Sequence, residues 1–178
     1  MRVALHVHSN LSDGAYPPEE MVKAYADLGF GAVAVTDHAF MTRPNYYERI
    51  RQLNSGLLVL AGVELDYEPW HYHHLLRITG KKETLHVLCH PKAYYLEIPK
   101  ILERIQGAPF PIDAVEVTHR GFYHAEYNTP QIPVPKIASD DAHEMVEVGR
   151  AWIETPKVKS ADALIRAVKA GDFSLGFV

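Results

Sequence analysis

Residues 3–14 read VALHVHSNLSDG, and this stretch decides the fold. In a strand, side chains two positions apart share a face, so a strand over Val3–Val7 aims both His6 and His8 at one point beyond its end. Asp13 follows in a loop where Gly14 permits a tight turn, which can return the carboxylate toward the two imidazoles. An HxH alone is a weak signal, because a single buried histidine is more often a hydrogen-bonded core residue than a ligand. Recurrence gives it weight.

Outward from this stretch, strand-like runs alternate with helix-like ones. Ala32–Thr36, Leu57–Val63, Leu85–Cys89, Ala114–Thr118 and Pro135–Ala138 are mostly apolar, as parallel strands covered on both faces should be, and Ala151–Glu154 makes a seventh. The helix signals cover Pro18–Leu28, Asn45–Leu53, Tyr94–Ile105 and Ala161–Ala170, the last opened by Ser160 and closed by Gly171. Tyr67–Thr79 and Arg120–Val134 are poorly periodic and read as long loops. After the first strand, the next five lead into His38, Glu64, His90, His119 and the pair Asp141 and His143. Parallel α/β folds carry their sites at the C-terminal ends of strands. An open sheet would spread these ends along a line, whereas a closed barrel gathers them in a ring. The sequence therefore predicts one α/β domain over residues 1–178, built on a barrel-like parallel sheet.

His6, His8, Asp13, His38, Glu64, His90, His119, Asp141 and His143 form a nine-residue candidate ligand set of imidazoles and carboxylates. A zinc-like ion takes three or four protein ligands, so nine imply two or three divalent ions. A mixed imidazole and carboxylate set without thiolate suits Zn, Mn or Fe. Such clusters activate water for hydrolysis and clamp a phosphoryl or carbonyl oxygen.

The composition agrees. The chain has 178 residues, eleven histidines, one cysteine and a formal charge of −4. This suits one soluble domain and gives no sign of a generic nucleic-acid or anionic-membrane surface. Lone Cys89 cannot form an internal disulfide, no run approaches a membrane span, and the N-terminus lacks a signal-peptide pattern. A reducing, cytoplasmic compartment is the expectation.

These residues resemble the PHP family, the polymerase and histidinol phosphatase superfamily. The matching blocks are His6-Val7-His8 with Ser12-Asp13-Gly14, then Thr36-Asp37-His38, Cys89-His90-Pro91 and Asp141-Ala142-His143. Glu64 and the run Glu116-Val117-Thr118-His119 match its two linking strands, and Val148-Gly149-Arg150 also fits. The resemblance implies a distorted seven-stranded (β/α) barrel, a two- or three-metal site and phosphoester hydrolysis. It implies one ion on His6, His8, Glu64 and Asp141, a second on Glu64, His90 and His119, and a third on Asp13, His38 and His143. Two features depart from the pattern. Asp140 stands where the family usually has serine, with Asp141 kept as the ligand by its i, i+2 spacing from His143. Only about twenty residues separate Glu64 from the strand leading to His90, so a helix and part of a substrate wall are expected to be missing.

The expected chemistry is in-line attack on phosphorus by a hydroxide bridging ions held by Glu64 and Asp141. Arg43, Arg120 and Arg150 are candidate phosphate clamps, with a solvated surface arginine as the competing reading. Asp37 reads more readily as a turn cap than as an orienting partner for a ligand. His73 or His74 is a candidate leaving-group acid, set against a polar loop packed by its aromatics. His86 and His124 read as surface or edge residues, and Cys89 as a small core residue turned away from the site. The expected substrate is a small phosphorylated metabolite. A nuclease would need a long basic groove, which scattered lysines do not supply. An amidohydrolase-type enzyme often bridges its metals with a carboxylated lysine, whereas Glu64 takes that place here.

Overall fold

The computed structural model describes residues 1–53 and 55–178. Its main sheet holds β1 (Arg2–Ala4), β2 (Ala32–Val35), β3 (Leu58–Tyr67), β4 (His73–Thr79), β5 (Thr84–Leu88), β6 (Ala114–Glu116), β9 (Lys136–Ile137), β10 (Ala151–Glu154) and β11 (Ser174–Phe177). The nine strands run in the order β11-β10-β1-β2-β3-β4-β5-β6-β9. A parallel bridge from Val7 to Ala142, with the His8 amide donating to the Ala142 carbonyl at 2.9 Å, brings the far end of the sheet back to β1. The sheet is therefore a nearly closed barrel, as expected.

All seven expected strands are present, and two more join them. The Tyr67–Thr79 stretch is not a loop: β3 continues to Tyr67 and β4 returns beside it, pairing Glu64 with Leu76 and Asp66 with His74. Only residues 68–72 connect them, too few for a parallel crossover, so the return must be antiparallel. The barrel is consequently mixed rather than all parallel, and this hairpin stands in the short interval between Glu64 and His90. Arg120–Val134 likewise holds one arm of a hairpin, β7 (Thr118–His119) against β8 (Phe122–Tyr123). Arg120 and Gly121 form its two-residue turn with φ of 53° and 81°, the backbone that suits strand twist.

Four α-helices cover the barrel: α1 (Pro18–Asp27), α2 (Tyr46–Arg51), α3 (Ile98–Gly107) and α4 (Ala161–Ala170). α3 starts later than the sequence suggests because Pro91–Tyr94 forms a separate 3-10 turn that Tyr95 ends in left-handed backbone at φ 51°. Ser160 caps α4 by accepting the Ala163 amide at 3.2 Å, and Gly171 closes it at φ 71°.

Strand alternation divides the core. Val3, Leu5, Ala32, Ala34, Leu76, Ile78, Leu85 and Val87 pack with Leu164, Ile165 and Val168 of α4. Ala4, Val7, Val33, Val35 and Val63 pack on the other face against α1 and α2, while Leu75, Leu88, Val115 and Val117 meet Ile101 of α3. Both faces of each central strand are covered, which accounts for their nearly continuous apolar sequence.

Candidate metal centre

The strand ends converge on one pocket. It is lined by Asp13, His38, Glu64, His74, His90, Tyr94, His119, Arg120, Asp141 and His143 and has a volume of about 310 Å³. His6 and His8 lie beneath it, fully buried, with their Nε2 atoms 3.1 Å apart. The expected convergence of these two imidazoles is found.

Glu64 is the hub. It is 1 % exposed, and its carboxylate oxygens lie 3.3 Å from His6 Nε2, 3.3 Å from His8 Nε2, 3.1 Å from His90 Nε2 and 3.3 Å from His38 Nδ1. Asp141 Oδ1 lies 3.4 Å from both His6 Nε2 and His8 Nε2. Asp13 Oδ2 lies 3.4 Å from His38 Nε2 and 3.3 Å from His143 Nε2. His119 stands apart from these clusters, on the pocket wall with its ring 5.8 Å from that of His90.

The spacing suits metal coordination. Donor atoms about 2.05 Å from a tetrahedral ion lie about 3.3 Å from one another. The buried nitrogens His38 Nδ1 and His74 Nδ1, which face the Glu64 carboxylate, also lack aligned hydrogen-bond partners. Buried polar atoms are ordinarily satisfied, so such a group calls for an explanation, and an ion provides one. These buried His, Asp and Glu clusters are consistent with a multi-metal site.

Local structure sets the aim of each side chain. A Cβ on Gly14 would lie 2.8 Å from the backbone of His8 and Ser9, so the loop that returns Asp13 requires glycine there. Asp37 holds the same loop: its carboxylate accepts from the Ser9 amide at 2.7 Å, Ser9 Oγ at 2.8 Å and Ser12 Oγ at 2.6 Å. It acts as the turn cap the sequence suggests. His90, Arg120 and Asp141 have φ of 22°, 53° and 50°. Left-handed backbone is unfavourable at non-glycine residues and clusters at functional sites. Strand alternation therefore does not align Asp141 with His143, contrary to the i, i+2 argument; the kink at Asp141 does.

Electrostatics follow from burial among opposite charges. Burial would depress His6 and His8, but carboxylates override it, chiefly Glu116 for His6 and Asp13 for His8, and raise both well above the usual imidazole range. Burial would raise Glu64 and Asp141, but the imidazoles, His6 foremost, hold both low. Burial lowers His38, His119 and His143.

Sequence reasoning passed over the support beneath this layer. Glu116 is fully buried and accepts from His6 Nδ1 at 2.8 Å, the His90 amide at 2.8 Å and Ser139 Oγ at 2.6 Å. That fixes the His6 tautomer, leaving the Nε2 lone pair facing the cluster. A carboxylate in the apolar run Ala114–Val117 was the available signal. Asp140 faces away, accepting from Tyr25 Oη at 2.7 Å, the Gly149 amide at 2.8 Å and the Ala151 amide at 2.6 Å. It locks α1 to the start of β10.

The three arginines separate. Arg120 lines the pocket, donating to Glu147 Oε1 at 2.7 Å and packing against His143. Arg43 is not in the lining: the 3-10 turn Ala39–Met41 carries it into a neighbouring cavity with Asn10, Asn45 and Arg49. Arg150 is also outside the lining, placed over Phe122 with Nη1 3.5 Å from the Arg120 carbonyl. His73 stacks on Tyr94 at 3.8 Å and accepts from Arg104 at 2.6 Å; burial, then Arg104, lowers it to about 4. His86 stacks on Phe110 at 4.5 Å and His124 lies 3.8 Å from Glu126, both outside the site. Cys89 is buried in the core, but alternation does not carry it clear of the site. Its sulfur lies within 4.8 Å of donor atoms of His6, Glu64 and His90, and burial raises its thiol pKa.

Comparison with known proteins agrees with this geometry. Residues 4–147 match the PHP domain model, and residues 125–173 match the PHP-associated model. A curated relative, the uncharacterized protein MJ1295 of Methanocaldococcus jannaschii, is 34% identical over 79 residues, covering 39% of this chain and 35% of that protein. Among solved structures, a two-domain Bacteroides vulgatus protein containing a predicted PHP-like metal-dependent phosphoesterase superposes with a TM-score of 0.77 at 17% identity. That match covers 99% of this chain and 64% of the other. A Bifidobacterium adolescentis protein described only by prediction as a metal-dependent phosphoesterase gives 0.66 at 13% identity, covering 95% and 96%. The chain thus spans about a third of the curated relative and under two thirds of the two-domain structure. Among the described residues, no helix is long and apolar enough to cross a membrane.

Proposed function

Because this chain belongs to the PHP domain family, we propose that it is a metal-dependent phosphoesterase acting on a small phosphorylated substrate. The observation that carries the reading is the convergence of buried, unpartnered imidazole nitrogens and three carboxylates at metal-ligand spacing on one pocket. His6, His8, Glu64 and Asp141 would hold one ion, Glu64 and His90 a second that His119 would complete from the pocket wall, and Asp13, His38 and His143 a third. Zn, Mn or Fe would supply a water acidified to near neutrality and positive charge for the phosphoryl oxygens.

The protein's own residues define where the substrate sits. Glu116 fixes His6, and the Asp141 carbonyl, 3.0 Å from His143 Nδ1, fixes that ring so that Nε2 faces Asp13. Arg120 is anchored by Glu147 and keeps donors free for a phosphoryl oxygen, since a guanidinium carries five. A pocket of about 310 Å³ suits a phosphomonoester or small diester better than a polynucleotide.

Hydrolysis of p-nitrophenyl phosphate, assayed beside amide and lactone substrates, tests the reaction class. Phosphoester cleavage alone is expected. Amide or lactone cleavage without phosphatase activity would favour an amidohydrolase, and steeply salt-dependent binding of single-stranded DNA would favour a nuclease.

A further inference from the structure

The β3–β4 hairpin delivers a residue that the nine-ligand set does not contain. His74 is the second residue of β4 and pairs directly opposite Asp66. Its Nδ1 lies 2.8 Å from Glu64 Oε1, and its Nε2 lies 3.3 Å from Asp66 Oδ1. Nδ1 is buried, and its contact with Glu64 lacks the alignment of a hydrogen bond. The ring packs edge-on against His38 and His90, with centroids 5.1 and 5.3 Å away. Its backbone is also held, because the His74 amide donates to Tyr94 Oη at 3.2 Å.

We propose that His74 is a tenth metal ligand, coordinating through Nδ1 beside Glu64 and His38, and that Asp66 is its positioning residue. A ligating histidine commonly donates its other ring N–H to a carboxylate, which selects the tautomer and increases ligand basicity. Asp66 is placed for that bond from Nε2, leaving the Nδ1 lone pair directed at the Glu64 cluster. His74 Nδ1 and Glu64 Oε1 lie 2.8 Å apart, so the two can share an ion. The β3–β4 hairpin would thus add to the metal centre. The inference rests on the metal-site reading above but not on the identity of the substrate.

The test is metal retention in the full-length protein, independent of turnover. Parent, His74→Ala, His74→Asn, Asp66→Ala and His124→Ala proteins are loaded with Zn²⁺ or Co²⁺, desalted and challenged with a chelator. Metal is measured by elemental analysis and Co²⁺ coordination by visible absorption. His74→Ala should lose an equivalent of metal or release it at least tenfold more readily, with an altered Co²⁺ spectrum. His74→Asn, whose amide reaches the Nδ1 position, should recover part of the loss. Asp66→Ala should weaken binding by about 10–100-fold, and His124→Ala should match the parent. Parental metal content, chelator resistance and Co²⁺ spectrum in a folded His74→Ala protein would overturn the proposal. If that variant fails to fold, parental values in Asp66→Ala together with no gain of His74→Asn over His74→Gln would do so. Loss of metal in a protein with no phosphatase activity would support the ligand while sinking the phosphoesterase reading.

Discussion

Replacing Glu116 with glutamine removes one charge from beneath the metal cluster and changes little in volume. The carboxylate accepts three hydrogen bonds: two at Oε1, from His6 Nδ1 and Ser139 Oγ, and one at Oε2, from the His90 amide. A glutamine must turn its NH₂ toward one of these sides. At the Oε2 position it confronts the His90 N–H, which cannot reorient. At the Oε1 position it favours the His6 tautomer with a proton on Nε2, removing the lone pair aimed at Glu64 and Asp141. One orientation leaves a buried donor pair unsatisfied, costing about 1–3 kcal/mol of stability, and the other disables a ligand. Loss of such a supporting carboxylate typically weakens metal binding about 10–100-fold, or about 1.4–2.8 kcal/mol. Chelator competition on Glu116→Gln and parent, with thermal unfolding of both metal-free proteins, reads the two effects separately. Parental metal affinity and parental melting temperature together would refute the idea that Glu116 sets the His6 tautomer.

Four other expectations rest on the same geometry. Asp140→Ala should lower the melting temperature through loss of bonds to Tyr25, Gly149 and Ala151, at about 1–3 kcal/mol, with metal content unchanged; metal loss without destabilisation would place Asp140 in the ligand set. Arg120→Ala should reduce kcat/KM about 10–100-fold, the scale of one charged hydrogen bond, and unchanged efficiency would remove Arg120 from phosphate binding. Metal binding should tighten as pH rises through the elevated values of His6, His8 and His90, and calorimetry in buffers of different ionisation enthalpy should detect released protons. The metal-free protein should behave oppositely. Its raised imidazoles contribute stability that is complete below ~6.5 and fades as pH climbs through their folded-state values, while Glu64 and Asp141 contribute stability that is complete above ~4 and fades on acidification. A metal-free melting temperature that rises from about pH 7.5 to 9, above the range in which the lowered His38, His119 and His143 act, would contradict this balance.

The sequence exposed those parts that depend on local periodicity. Alternation identified His6 and His8 as a pair, and apolar runs located the seven expected strands and the residues at their ends. The capped helix Ala161–Ala170 was equally clear because Ser160 and Gly171 mark its limits. What escaped depends on pairing across the sheet. His73-His74-Leu75-Leu76-Arg77 does not look like a strand because His74 faces a site built by other segments, His73 packs on Tyr94 and Arg77 is exposed; β4 is recognisable only beside β3. Arg43 follows a strand end and Arg150 immediately precedes β10 in sequence, but a 3-10 turn and the packing on Phe122 place them away from the pocket. Glu116 and Asp140 could be numbered but not assigned, because their roles rest on amides and hydroxyls distant in the chain.

The most direct test of the central claim is metal content measured beside phosphoesterase activity, before and after chelation. Two or three ions per chain are expected, with loss of p-nitrophenyl phosphate hydrolysis on chelation and its return with Zn²⁺, Mn²⁺ or Fe²⁺. Fewer than two ions per chain in a fully active preparation, or activity that survives complete metal removal, would contradict it.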